Sequence, residues 1–193
     1  MPKPIALAVA IVLGAAAGAA SASDGLALTP PMGWNSWNKF HCDVNENVVR
    51  DAADAMVASG MKDAGYQYVV VDDCWQGERD AVGRMVPDKE RFPSGMKALA
   101  DYVHSRGLRF GLYSDAGEFT CATRLGSKGH EATDARSYAE WGVDYLKYDW
   151  CHAEDQDARD SYGLMSRALR ATGRPIVFSI CEWGSTKPWT WAA

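Results

Sequence analysis

Four apolar runs in this chain end on acids. Tyr68-Val69-Val70-Val71 runs into Asp72 and Asp73, Phe110-Gly111-Leu112-Tyr113 leads to Asp115, Tyr145-Leu146-Lys147-Tyr148 leads to Asp149, and Ile176 to Cys181 leads to Glu182. Carboxylates gathered in one place can attack, exchange protons and grip hydroxyls. Lys147 stands two residues before Asp149, so on a strand both side chains point into the same space. Its ammonium can hold a hydroxyl and help keep Asp149 ionised; a structural ion pair at a strand end is the alternative that the residues alone allow. In a parallel barrel or a doubly wound sheet all strands end on one face, and there the acids can act on one substrate.

The elements that must position these acids alternate regularly. Asn45 caps a helix reaching Ser59, with Val49, Ala52, Ala53, Met56 and Val57 at helical spacing and Gly60 as its stop. Tyr68 to Val71 is apolar without alternation, as expected of a strand covered on both faces. Ser94 caps a second helix carrying Met96, Leu99, Ala100 and Val103, and a strand follows from Leu108 to Tyr113. A third helix carries Ala135, Tyr138, Ala139 and Trp141 before Gly142, and the next strand spans Val143 to Tyr148. A fourth helix with Tyr162, Met165 and Leu169 stops at Gly173, and a last strand begins near Pro175. With a short first strand around Met32 to Asn35, the pattern predicts five strands and four helices of a parallel α/β fold. A complete (β/α)8 barrel takes about 250 residues, so the reading is of the first five βα units of a barrel truncated at its C-terminal end.

The first residues have another character. Lys3, the apolar stretch from Ile5 to Leu13 and Ala20-Ser21-Ala22 have the form of a secretory signal cleaved near Ala22, with an uncleaved anchor as the alternative. The expected domains are therefore a signal peptide at 1–22 and a barrel segment at 23–193, in a secreted or periplasmic protein. The net charge of −5 and the lack of a basic run give no sign of a nucleic-acid surface, and no membrane partner is expected after cleavage. Eight tryptophans and eight tyrosines suit stacking on sugar faces, though they also fill ordinary cores. Five cysteines in an exported chain predict disulfides with one thiol left over. Zinc is not expected, because no Cys-x-x-Cys pair and no histidine cluster occurs.

Six segments, taken in order and spacing, resemble the melibiase-type α-galactosidases of glycoside hydrolase family 27. They are Pro30 to Trp37, Asp72-Asp73-Cys74-Trp75, Arg91-Phe92-Pro93, Gly111 to Gly117, Leu146-Lys147-Tyr148-Asp149 and Cys181-Glu182-Trp183-Gly184. The resemblance implies a catalytic (β/α)8 barrel followed by a smaller β domain, and removal of terminal α-galactose with retention of configuration and no cofactor. By position Asp149 matches the nucleophile, Lys147 a pocket cation, and Asp72 with Asp73 the residues that grip sugar hydroxyls. Since strand neighbours point to opposite faces, only one of that pair meets the sugar unless the chain bends. Trp37 matches an aromatic platform and Tyr113 a pocket wall, with plain core packing the alternative for each. Asp115 is open between a site role and a cap or loop role. Glu182 matches the residue that bonds the 2-hydroxyl in α-galactosidases, where the family's N-acetylgalactosaminidases carry something smaller. The family pattern also implies the disulfides Cys42–Cys74 and Cys121–Cys151, with Cys181 the odd one. The acid/base aspartate is expected on a strand beyond residue 193, so the 193-residue chain by itself is expected to be inactive.

Two other classes of function stay open from the sequence alone. One is a sugar-binding pseudoenzyme fragment. The other is a metal-assisted hydrolase with Ca²⁺ or Mg²⁺ held by the strand-end acids, against which Lys147 argues by competing for the carboxylates.

Overall fold

The computed structural model describes residues 25–192. The segment read as a signal peptide lies outside the described residues. Five parallel strands form one sheet: β1 (Gly33–Asn35), β2 (Tyr68–Val71), β5 (Arg109–Asp115), β6 (Tyr145–Asp149) and β7 (Val177–Cys181), paired in that order. Between β2 and β5 the chain adds an antiparallel hairpin, β3 (Gln76–Arg79) with β4 (Met85–Pro87). Helices α2 (Glu46–Ala58), α3 (Gly95–Ser105), α4 (Glu131–Trp141) and α5 (Ala158–Ala171) connect the strands, and a single turn, α1 (Trp37–Phe40), follows β1.

Sheet order follows chain order, and the long helices pack on one face only. Val49 and Met56 of α2, Met96 and Leu99 of α3, Tyr138 of α4 and Tyr162 and Met165 of α5 share a core with Val69, Val71, Phe110, Leu112, Leu146 and Tyr148. A doubly wound sheet reverses its order and covers both faces; sequential order with one covered face is the arrangement of a barrel wall. The opposite face carries the other parity: Tyr68, Val70 and Val177 pack together there, with Tyr145 against them.

Local chemistry explains most element ends. Asn45 caps α2 by accepting from the backbone N–H groups of Asn47 and Val48, and Gly142 ends α4 at φ 85°, a left-handed conformation that glycine adopts without steric cost. Three expectations change. Ser94 stands at the start of α3 without capping it; its N–H and hydroxyl instead donate to Glu46 and tie α3 to α2. Val57 is exposed, since α2 meets the sheet through Val49, Ala53 and Met56 alone. The hairpin was not anticipated. It is held by Arg79, whose guanidinium donates two bonds to the buried Asp134 carboxylate at 2.6 and 2.8 Å.

Candidate active site at the strand ends

Strand register decides which residues meet. Asn35 pairs with Val70, Val70 with Gly111, Gly111 with Tyr145 and Tyr145 with Val177. Counting by two from those positions places Asn35, Asp72, Tyr113, Asp115, Lys147, Asp149 and Cys181 on the face away from the helices. Asp73 and Glu182 have the opposite parity. Their contacts agree with that placement.

Asp72 and Lys147 form the centre. The Lys147 ammonium donates to Asp72 Oδ2 at 2.9 Å and lies 3.9 Å from Asp149 Oδ2. It also sits 4.9 Å from the centre of the Tyr113 ring, whose π face favours a cation. The lysine was expected to hold a hydroxyl and help keep Asp149 ionised; its nearest carboxylate is Asp72. Asp149 is 5% exposed and accepts from the Trp150 N–H at 3.0 Å. Burial pushes its carboxyl up, and the Trp150 N–H and the Lys147 charge offset that only in part. Burial is also the largest influence on Lys147 and disfavours its charge, but Asp72 outweighs it and keeps the ammonium protonated.

Asp115 and Asp149 are register partners at the ends of β5 and β6, with carboxylate oxygens within 4.8 Å of one another. That is near the ~5–5.5 Å between the two carboxyls of a retaining glycosidase. Asp115 cannot serve as the exposed partner, however. It is fully buried and accepts from the N–H groups of Gly117 at 2.8 Å and Cys151 at 3.1 Å, so it pins the loops after both strands. Burial, with the Asp149 charge adding to it, pushes its carboxyl up to about 7 against the pull of those N–H donors. Between its reading as a site acid and as a loop holder, Asp115 is the loop holder. Gly117 permits the same close approach, because a Cβ there would run into the carbonyl oxygen of Cys151.

The two off-parity acids serve loops. Asp73 accepts from Thr120 Oγ1 at 2.8 Å, the Ala122 N–H at 2.9 Å and the Cys74 N–H at 2.7 Å. Glu182 is drawn into its own turn: Gly184 and Thr186 donate backbone N–H groups at 2.9 and 2.6 Å, and the Ser185 and Thr186 hydroxyls donate at 3.0 and 2.7 Å. Burial raises the Glu182 carboxyl, but these bonds outweigh it and leave the group below the usual carboxylate range. Trp37 is half-buried, its ring edge-on to His41 at 4.9 Å and its backbone N–H on Asn35 Oδ1 at 2.9 Å.

The disulfides Cys42–Cys74 and Cys121–Cys151 are present, and Cys181 is the free cysteine among the described residues. Burial and the nearby Asp149 charge push its thiol up to about 11, so it stays protonated. Asp115, Asp149, Cys121 and Cys151 come together as metal ligands would, but the two sulfurs are bonded to each other and have no thiolate to offer. Asn35 was not singled out from the sequence; its amide donates to Asp72 Oδ2 at 2.7 Å. A cavity of ≈ 760 Å³ beside α5 and β7, lined by Tyr162, Arg167, Ile176, Phe178, Ile180 and Trp191, contains none of the strand-end acids.

Known proteins share this fold and much of this sequence. Alpha-galactosidase A of Cellvibrio japonicus is 60% identical over 167 residues, 86% of this chain and 41% of that relative. The crystal structure of alpha-galactosidase I from Mortierella vinacea superposes with a TM-score of 0.87 at 47% identity, over 89% of this chain and 45% of that one. The alpha-galactosidase of Saccharomyces cerevisiae solved with raffinose gives 0.85 at 46% identity, over 86% and 38%. The chain thus spans less than half the length of each of these proteins. The family model described as alpha galactosidase A matches residues 29–192, and by that match, over the same strands that carry the acids, the chain belongs to this family of glycoside hydrolases.

Proposed function

We propose that the protein of which these residues form part is a retaining α-galactosidase, with Asp149 as its nucleophile. The observation that carries the reading is the single cation shared by two acids on the open face, Lys147 at 2.9 Å from Asp72 and 3.9 Å from Asp149. In this reading Asp149 attacks the anomeric carbon as the bond to the leaving oxygen breaks, giving a galactosyl ester. Water then displaces the aspartate and restores the original configuration. A carboxylate acts as nucleophile only when ionised; the Lys147 charge and the Trp150 N–H favour that form against the cost of burial.

Asp72 supplies the hydroxyl grip. A carboxylate has about four acceptor positions. Lys147 and Asn35 occupy Oδ2 and the Asp73 N–H takes one position on Oδ1. What remains suits one sugar hydroxyl, and the other protons of Lys147 can meet a neighbouring one. Trp37 and Tyr113 would supply the aromatic platform and wall, and Glu182 the contact to the 2-hydroxyl, for which it must exchange one of its turn bonds. The acid/base carboxyl falls, by the family resemblance, on a strand later than residue 193. The raffinose found with the yeast relative fits an α-galactoside oligosaccharide as substrate. Lys3, the apolar run and Ala20-Ser21-Ala22 support export, where both disulfides persist.

The test is to express the complete gene product, follow the anomer first released from an aryl α-galactoside by NMR, and trap the enzyme with an activated fluorinated galactosyl donor. α-Galactose as first product and a glycosyl adduct on the peptide containing Asp149 are expected. First release of β-galactose, or an adduct on another residue, would overturn the assignment.

A further inference from the structure

Asn35 stands at the same end of the sheet as the acids and bonds to one of them. It ends β1 on the open face and its amide is used at both ends. Nδ2 donates to Asp72 Oδ2 at 2.7 Å, and Oδ1 accepts from the Trp37 N–H at 2.9 Å. The next residue, Ser36, is fully buried, and its hydroxyl accepts from the Asp72 N–H at 3.0 Å. Two consecutive residues thus brace Asp72 by its carboxylate and its backbone, and the first of them also fixes the start of the turn that carries Trp37. On Asp72 Oδ2 the Asn35 amide and the Lys147 ammonium arrive together, so the carboxylate is held from two sides.

We propose that Asn35 is a positioning residue that sets the hydroxyl-gripping carboxylate of Asp72 against the aromatic platform of Trp37, so that one amide registers the two halves of the galactose site. Without it, Asp72 keeps Lys147 on that oxygen and the Asp73 N–H on the other, and can turn with the lysine toward Asp149. The amide is suited to this and an acid is not: a carboxylate can accept from the Trp37 N–H but cannot donate to Asp72 unless it is protonated. The inference rests on the α-galactosidase reading, and the experiment separates the two.

The experiment uses Asn35→Ala and Asn35→Asp in the complete gene product, with kcat/KM on an aryl α-galactoside and the Kd of galactose measured from pH 4.5 to 7.5. Asn35→Ala loses both bonds, one of them to a charged acceptor, and kcat/KM should fall by about 10- to 100-fold, mostly through KM, with galactose binding weakened in parallel. Asn35→Asp keeps the acceptor for Trp37 at every pH and loses only the donor. Its new carboxyl faces the Asp72 carboxylate with Lys147 across it, Asp149 beyond the lysine and His41 against the Trp37 ring. The like charge 2.7 Å from the present amide nitrogen is nearest, so it should titrate above an ordinary aspartate.

The ratio of Asn35→Asp to wild type, in both kcat/KM and galactose affinity, should therefore rise at least about fivefold as pH falls from 7.5 to 4.5, because protonation restores the donor. A role confined to the Trp37 turn predicts a flat ratio, and a flat ratio overturns the proposal even if Asn35→Ala fails to fold. So does an Asn35→Ala variant within about twofold of wild type, well short of the loss expected for a bond to a charged group. If wild type neither binds galactose nor cleaves the galactoside, it is the α-galactosidase reading that has failed.

Discussion

The sheet carries a polar cluster at each end, and the two are built on opposite plans. Below β6, Asp144 accepts from Arg174 Nη2 at 2.6 Å and from the Phe110 N–H at 2.9 Å, with His104 Nε2 at 2.7 Å. Arg174 also donates to the carbonyls of Gly142 and Val143, so the one carboxylate and the donors around it satisfy one another. At the upper end four aspartates converge, two of them held by loop N–H groups, and one ammonium serves the remaining two. The lower cluster closes upon itself. The upper one is short of positive charge and donors, which a substrate's hydroxyls can supply. In barrel proteins the end where strands begin serves stability and the end where they finish serves chemistry; the charge balance here gives that division a physical basis.

The sharpest way to break this contrast is Asp149→Asn. Removing one negative charge from a buried, acid-rich site should leave the melting temperature of the complete protein unchanged or higher, while turnover falls by at least about 10³-fold, worth over 4 kcal/mol of barrier. Kinetics on an aryl α-galactoside alongside calorimetry decides it. Activity within about tenfold of wild type would leave Asp149 as a structural acid, since a lost nucleophile costs far more.

Asp115 tests the same shortage through pH. Its ordinary value is 3.8 and its folded value about 7, so the native state holds a proton that the unfolded chain releases across that window. The sign follows: this group's contribution to stability is full below about pH 4, is lost as pH rises toward 7, and is level beyond. Three pH units set a ceiling of about 4 kcal/mol, and about 3 is expected because Asp149 responds to the same proton. Denaturant unfolding of wild type and Asp115→Asn at pH 4.5 and 7.5 should show a fall larger by about that amount in wild type than in the variant. Equal slopes would mean that Asp115 is already ionised when folded.

Much of this was legible in the sequence because buried parallel strands are apolar runs and their acids stand where the runs stop. The same period of two assigns the open face: counted on from Lys147 and Asp149 through the register, it selects Asp72 over Asp73 and Cys181 over Glu182. The alternation that sets Asp73 off the open face sets Glu182 off it as well. Asn35 also ends a strand on the open face, but an amide is a weaker signal than an acid and it passed unremarked. The hairpin was hidden for another reason. Gln76-Gly77-Glu78-Arg79 is polar and short, and it is fixed by an ion pair to Asp134, 55 residues away, which no local pattern reveals.

The lower cluster should behave in the converse way. Asp144→Asn leaves Arg174 and His104 without their shared anion and should cost about 2 kcal/mol of stability, discounted from the buried-pair range because these side chains are partly solvent-exposed. Turnover per folded molecule should stay within about twofold, since this cluster lies at the opposite end of the strands from Asp72, Lys147 and Asp149. Denaturant midpoints with active-site titration measure both. A tenfold loss of turnover at unchanged stability would erase the division between the two ends.

The smallest expected effect is at Glu182, where the two kinds of role meet in one residue. If its carboxylate contacts the 2-hydroxyl, it also fills the room an acetamide needs, and Glu182→Ser should move the ratio of kcat/KM for aryl α-galactoside over aryl α-N-acetylgalactosaminide by about tenfold toward the latter. The same change removes the acceptor of four bonds from Gly184, Ser185 and Thr186 and releases the turn after β7. A loosened turn alone would weaken both substrates alike and leave the ratio unmoved. Glu182→Gln separates the two further, because its amide keeps the bulk and one acceptor oxygen for the turn. It should hold the ratio near wild type while lowering both rates. An unchanged ratio in Glu182→Ser would mean that the carboxylate belongs to the turn alone, and the off-parity position of Glu182 would then be the whole account of it.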